Sequence, residues 1–370
     1  MNVNFYNFEK LHTPELYKQV LERFEEIIKA NSFVEGKYNT LFEQEFAKNQ
    51  NAKHCLLLAN GTDALEIALQ AYDIGVGDKV GIPGISFFAT AECVINRGAT
   101  PVFIDVDPNS GLMDPESLER ILEVHELKAI IPVHIYGMPA PIAQLEKICR
   151  NNNIKIIEDG AQGQGGFYEN KKPIGSSKHI TTFSFYPTKN LGAFGDAGAV
   201  TFENDQLKDK ILSIRNHGRT PNGHGLSGRN SRCDHLQAAV LQLKLTHFDL
   251  EGDNKNRKMI AKKYFESLSH LPIKLVDKKF LDISSWHLFP IRTEDKETKL
   301  KLQAFLDKSK IQTRLFYEKS LPQEKPLMHF EGEVNHANHF ADTTFTLPMH
   351  PFLTDDQITY VGEEIKKFFN

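Results

Sequence analysis

The chain has 370 residues, 40% of them hydrophobic, with 24 glycines and a formal net charge of −4. That length and apolar content predict a large buried core split into two domains, and the scattered basic residues leave no cationic stripe for nucleic acid or an anionic membrane. The four cysteines, Cys55, Cys93, Cys149 and Cys233, lie far apart, the N-terminus carries no basic-then-apolar leader, and no run is long enough to span a bilayer, so a soluble cytoplasmic protein acting on small molecules is expected.

Short runs rich in Val, Ile and Phe alternate with stretches of helical period, the pattern of a mostly parallel sheet covered by helices. Strands are expected at "HCLLLA" from His54, "KVGIPG" from Lys79, "PVFIDV" from Pro101 and "AIIPVHIYG" from Ala129. Three more follow at "IKIIED" from Ile154, "ITTFSF" from Ile180 and "AGAVTF" from Ala197. Helices are expected between them at 63–71, 89–97, 115–124 and 140–152. After Leu250 the pattern changes: charged helical stretches at 254–267 and 296–308 flank "WHLFPIRT" and "IQTRLFY". Residues 1–250 are therefore expected to form a large α/β domain, and residues 251–370 a smaller α+β domain.

Open parallel sheets bind ligands beyond the carboxyl ends of their strands, and several such ends carry chemistry. In "ANGTDAL", Asn60, Gly61 and Thr62 follow a strand and open a helix, which suits either a phosphate cradle or a plain turn with an N-cap. In "IIEDGAQGQGG", Asp159 closes an apolar strand, where it could hold a cationic ring nitrogen protonated or simply cap the turn. Glu158 has the opposite side-chain phase and faces elsewhere. Phe87 or Phe88 of "PGISFFATAECV" could lie against an aromatic ligand or belong to the core. Most lysines are solvated surface, but Lys189 of "TTFSFYPTKNLGAFGDAGAV" sits among small and apolar residues. A lysine in a dry pocket is pushed toward its neutral amine and can form a Schiff base with a carbonyl. Ser184, five residues earlier, could share a phosphate with Thr62. A phosphate cradle, a carboxylate for a pyridinium, a stacking ring and a lysine amine together describe pyridoxal 5′-phosphate.

The wording and order of "NGTDAL", "IEDGAQGQGG", "SFYPTKNLGAFGDAGAV", "NSRCDHLQAAVL" and "LPMHP" resemble the DegT/StrS nucleotide-sugar aminotransferases across nearly the whole chain. The resemblance implies the aspartate-aminotransferase-like fold type I, with a mostly parallel seven-stranded sheet. It implies that Lys189 carries the Schiff base, Asp159 contacts the pyridine nitrogen, Phe87 stacks on the ring and Gln162 packs beside it. Gly61, Thr62, Asp63 and Ser184 would surround the phosphate, with Asn230 reaching it from the neighbouring subunit of a homodimer with shared active sites. Arg232, Phe316, Tyr317 and His217 would line the substrate side. Gly160 stands where relatives commonly have alanine, and Phe316 where relatives can have histidine. Some relatives replace the Schiff-base lysine with histidine and become dehydratases, an outcome Lys189 argues against.

The reaction so implied moves an amino group from L-glutamate, giving 2-oxoglutarate and a pyridoxamine 5′-phosphate form, and then onto a nucleotide-linked keto-sugar. Asp63 in "NGTDAL" and the wording of "LPMHP" resemble relatives that aminate C-3, with C-4 amination the alternative. A non-catalytic regulatory or binding protein on the same fold is a further alternative, which would be expected to have lost Lys189 or Asp159. No GxGxxG turn opens the first helix, and no HExxH or comparable histidine cluster suggests a metal.

Overall fold

A computed structural model describes residues 1–247 and 250–370. The strands β1 (His54–Leu58), β2 (Lys79–Pro83), β3 (Thr100–Ile104), β4 (Ala129–Ile130), β5 (Lys155–Asp159), β6 (Ile180–Ser184) and β7 (Gly198–Phe202) form one sheet. Its order is β1-β7-β6-β5-β4-β2-β3. β3, β2, β4, β5 and β6 run parallel, and β7 runs antiparallel to both of its neighbours, β6 and β1. The helices Gly61–Ala71, Ala89–Asn96, Pro115–Leu122 and Ile142–Asn151 lie between strands, close to the expected ranges.

The strands are apolar on both faces because helices cover both. Leu56 and Leu58 of β1 pack with Leu65 and Ile67 of the helix Gly61–Ala71 on one side. Cys55 and Leu57 pack with Phe42 and Phe46 of the helix Lys37–Asn49 on the other, joined there by Phe183 and Phe185.

The expected long strand at 129–137 is a correction. Only Ala129–Ile130 pairs as a strand, because Pro132 has no N–H for the ladder. Val133 then makes a single bridge to Asp159, and residues 135–137 close a tight turn with Tyr136 at φ 60°. The turn lies directly behind the carboxyl end of β5, where it supports the site described below.

Beyond the sheet, β8 (Arg219–Thr220) and β9 (Gly223–His224) make a small exposed hairpin. The strands β10 (Phe289–Arg292) and β11 (Thr344–Leu347) pair antiparallel. Tyr264, Trp286, Phe289 and Phe345 fill a core there with the helices Leu250–Leu268, Lys296–Lys308 and Asp355–Phe369. "IQTRLFY" makes isolated bridges rather than a strand, Ile311 with Val3 and Arg314 with Thr346. Val3 and Phe5 are buried in this second core, so the first residues of the chain pack with its C-terminal third. The expected domain junction at 250/251 abuts residues 248 and 249, which lie outside the described residues. Among the described residues, no helix is long and apolar enough to cross a membrane.

Candidate active site

Strand alternation sends Glu158 and Asp159 to opposite faces of β5. Glu158 is fully buried against His134, whose Nε2 lies 2.9 Å from Oε2, and Tyr168, whose hydroxyl donates to the same oxygen at 2.7 Å. The amide of Ala140 donates to His134 Nδ1, so the ring proton sits on Nε2 and points at Glu158. Burial pushes the Glu158 carboxyl up most strongly, but the His134 hydrogen bond and charge, the His179 charge and a Ser177 hydrogen bond together hold the group below its ordinary value. This acid is a structural anchor for the turn after β4.

Asp159 faces the other way, at the carboxyl end of the sheet. Its Oδ1 accepts from the Ala161 amide at 3.1 Å and its Oδ2 from the Thr90 hydroxyl at 3.1 Å. Burial pushes its carboxyl above the ordinary value, opposed by these hydrogen bonds and by the charge of Lys189. Sequence reasoning missed Thr90 and its neighbour Ser86, although two hydroxyls four residues apart in "SFFAT" were a visible signal.

Lys189 lies on the loop that joins the antiparallel pair β6 and β7, closed by hydrogen bonds from Phe185 to Ala197 and from Ala193 to Phe185. The next residue, Asn190, is buried and pinned by bonds from its amide to Asn254 Oδ1 and the Ser285 carbonyl, each at 3.0 Å. Burial lowers the Lys189 ammonium from its ordinary value to about 8, and the Asp159 carboxylate pulls the other way. Depressed basicity alone does not single it out, because burial also lowers Lys244 to about 8. Lys244, however, spends its ammonium on the Gly192 carbonyl at 2.7 Å. Among the described residues Lys189 has no such partner, and it is only partly covered, leaving its amine to react.

The anion cradle forms where β1 ends. Asn60 caps the helix Gly61–Ala71 by accepting from the Asp63 amide at 2.8 Å, and among the described residues the amides of Gly61 and Thr62 find no acceptor. Two free N–H groups at the positive end of a helix dipole are suited to phosphate. A Cβ at Gly61 would lie 2.7 Å from Ser184 Cβ, so glycine is what lets β6 close against the helix start. Gly198 serves the same approach from β7, where a Cβ would overlap the Asn60 backbone.

Phe87 is 60% exposed, so its ring face is free, and its centroid lies 6.2 Å from that of Tyr317. Gln162 accepts from the Tyr136 amide and donates to the Tyr317 hydroxyl at 3.3 Å. Phe316 packs at the edge of Tyr317, and its carbonyl accepts from the buried Tyr136 hydroxyl. Tyr6, which no sequence motif marked, lies beside Thr188, the residue before Lys189.

The remaining expected residues lie on a separate segment. Asp63 turns its carboxylate to Arg229 at 3.5 Å, and Glu66 pairs with the same guanidinium. Ser231 accepts from the Ala59 amide, so residues 229–231 are held beside the cradle. Asn230 and His217 are exposed, and Arg232 bonds Asn230 at 3.2 Å. Among the described residues, no hydrogen bond or ion pair joins Asn230, Arg232 or His217 to Lys189, Asp159 or Gln162.

A lysine and a buried carboxylate beyond a helix start suited to an anion, on this sheet order, define a pyridoxal-phosphate enzyme of fold type I. Residues 14–366 match the DegT/DnrJ/EryC1/StrS aminotransferase family, and the chain belongs to that family. It is similar to a pleiotropic regulatory protein of Geobacillus stearothermophilus, 36% identical over 98% of this chain and 99% of that one. It is also similar to a UDP-N-acetyl-3-dehydro-alpha-D-glucosamine 3-aminotransferase of Acidithiobacillus ferrooxidans, 34% identical over 97% and 96%. The crystal structure of DesV from S. venezuelae in complex with a ketimine intermediate superposes with a TM-score of 0.92 at 31% identity, covering 100% of this chain and 99% of that one.

Proposed function

We propose that the protein moves an amino group from L-glutamate to C-3 of a nucleotide-linked keto-sugar, as a soluble cytoplasmic homodimer with shared active sites. In this reading residues 1–250 form the cofactor domain and residues 251–370 the smaller C-terminal domain. The observation that carries it is the partly covered Lys189 amine, with no acceptor among the described residues, in the field of the Asp159 carboxylate.

The residues present fit pyridoxal phosphate. Gly61, Thr62 and Ser184 would hold the phosphate, Asp159 the ring nitrogen, Phe87 the ring face, and Lys189 the aldehyde carbon. When bound, that group supplies an electron sink for the carbanion formed at an amino carbon. Asp159 would accept from the ring N–H and keep the proton on that nitrogen. Lys189 Nζ, driven toward its neutral form by burial, would take the proton from the donor's α-carbon. Gln162 and Tyr317 orient the substrate side, and Phe87 with Tyr317 excludes water from one face. Two half-reactions on one site give ping-pong kinetics.

C-3 is favoured by the Acidithiobacillus relative, whose name specifies a 3-dehydro sugar and a 3-amino product. Asp63, the residue linked with C-3 amination by resemblance, holds Arg229 and through it the segment bearing Asn230 and Arg232. It would act on the sugar's pose through that segment. The relative called a regulatory protein supports a non-catalytic reading only where the lysine and carboxylate are spent elsewhere, and among the described residues Lys189 has no other partner.

The test is incubation with L-glutamate and a panel of UDP-, dTDP- and GDP-linked 3-keto and 4-keto sugars, followed by NMR of the product. The new amine is expected on C-3. An amine on C-4, with 3-keto sugars inert, overturns the position and leaves the transamination standing.

A further inference from the structure

The Thr90 hydroxyl stands between two oxygens: Asp159 Oδ2 at 3.1 Å and Ser86 Oγ at 2.7 Å. An ionised carboxylate only accepts, so Thr90 commits its single proton to Asp159, and Ser86 must donate to the Thr90 oxygen. Thr90 is fully buried and Ser86 nearly so. Water cannot replace either bond cheaply. Thr90 lies in the first turn of the helix Ala89–Asn96, and Ser86 immediately precedes the exposed Phe87. A chain of two hydroxyls therefore runs from the Phe87 segment to the carboxylate.

We propose that Ser86 and Thr90 are positioning residues for Asp159, fixing the plane of its carboxylate so that its remaining acceptor positions meet the cofactor's ring nitrogen. The proposal rests on the reading of Asp159 as the ring-nitrogen partner. An ionised carboxylate has about four acceptor positions, and the Thr90 hydroxyl and the Ala161 amide occupy one on each oxygen. That leaves the cofactor-facing positions free while removing rotation about the side chain. The chain also holds the charge. Burial drives Asp159 toward the neutral acid, which would hold a ring N–H poorly, and a hydrogen bond donated to the charged form opposes that drive. The other titratable groups acting on Asp159 are Lys189, His134, Tyr317 and Cys93. None of them donates a hydrogen bond to its carboxylate, so Thr90 is the side chain that fixes its direction.

The experiment uses holoenzyme of Thr90→Val, Thr90→Ser, Ser86→Ala and Asp159→Asn. Two quantities are read: the pH midpoint at which the visible band of the lysine-bound cofactor converts to its shorter-wavelength form, and kcat and KM for the keto-sugar. Thr90→Val is expected to lower kcat by about tenfold or more, with KM changed by less than about threefold, and to move the midpoint in the same direction as Asp159→Asn. Thr90→Ser, which keeps the hydroxyl, restores both, and Ser86→Ala shifts both less than Thr90→Val. An unshifted midpoint and wild-type kcat in Thr90→Val, while Asp159→Asn moves both, overturn the proposal. If Asp159→Asn itself moves neither, the reading of Asp159 fails instead. Should Thr90→Val not fold, Ser86→Ala decides, and wild-type values there overturn the chain.

Discussion

Glu158 and Asp159 leave β5 in opposite directions, and each finds a different environment. Glu158 accepts hydrogen bonds from His134 and Tyr168 behind the sheet, whereas Asp159 faces the Lys189 loop with Thr90 and Ala161 as its hydrogen-bond donors among the described residues. One residue of register separates an acid anchored behind the sheet from one that faces the Lys189 loop. A slip by one position would exchange them.

Asp159→Ala is expected to lower transamination by about two orders of magnitude or more, since it removes the acceptor that keeps the ring nitrogen charged. The protein should fold normally, because the change removes a buried charge that costs stability. Far-ultraviolet circular dichroism and thermal melting check the fold, and turnover checks the role. Wild-type turnover contradicts it.

Much of this was legible in the sequence because it depends on local pattern. The seven apolar runs gave the strands of the sheet, and period two separated Glu158 from Asp159. The strand at 129–137 was overread because its apolar run continues through Pro132, and the consequence of a missing N–H appears only when a neighbouring strand is in place. Lys189 stood out by its apolar surroundings, yet Lys244 has an equally depressed basicity and no local signal separates the two. Their difference is the Gly192 carbonyl, a tertiary contact. Asp63 was placed beside the phosphate by the family resemblance, and its contact with Arg229, 166 residues away in sequence, could not be read from that wording. Tyr6 reaches Thr188 only because the N-terminus packs back on the C-terminal core.

The basicity of Lys189 sets the pH dependence of cofactor capture. With its ammonium lowered to about 8, covalent capture of pyridoxal phosphate by the apoprotein should accelerate with pH and level off near 8, instead of rising toward the ordinary 10.5. The linked effect on stability has a definite sign. Between those two values the unfolded chain holds the proton and the folded chain does not, so this residue's contribution to apoprotein stability rises with pH across that window and is flat below it. Stopped-flow absorbance gives the first profile, and the difference in melting between wild type and Lys189→Ala gives the second. A capture rate still climbing above pH 9 contradicts the assignment.

Gly61→Ala should weaken cofactor binding by about tenfold or more while leaving the apoprotein folded. The added Cβ falls 2.7 Å from Ser184 Cβ, which forces the helix start away from β6 and opens the anion cradle. Equilibrium dialysis with pyridoxal phosphate measures it. An unchanged dissociation constant shows that the cradle is not where the phosphate binds.

Asn230 is exposed within its own chain, and among the described residues nothing bonds it to Lys189 or Asp159. If it completes the neighbouring subunit's site, Lys189→Ala and Asn230→Ala proteins should each be impaired, and mixed dimers should regain up to about a quarter of wild-type activity, since one site per hetero-dimer is intact. Activity after unfolding and refolding the two together reads this out. Impairment of both with no recovery in any mixture rules out sharing.

The central claim is that Lys189 is the residue bonded to the cofactor. Borohydride reduction of the purified holoenzyme followed by peptide mass spectrometry tests it most directly, with Lys244 as the internal comparison. A single pyridoxyl adduct is expected on the peptide carrying Lys189, absent from Lys189→Ala. An adduct on Lys244, or an undiminished adduct in Lys189→Ala, contradicts it.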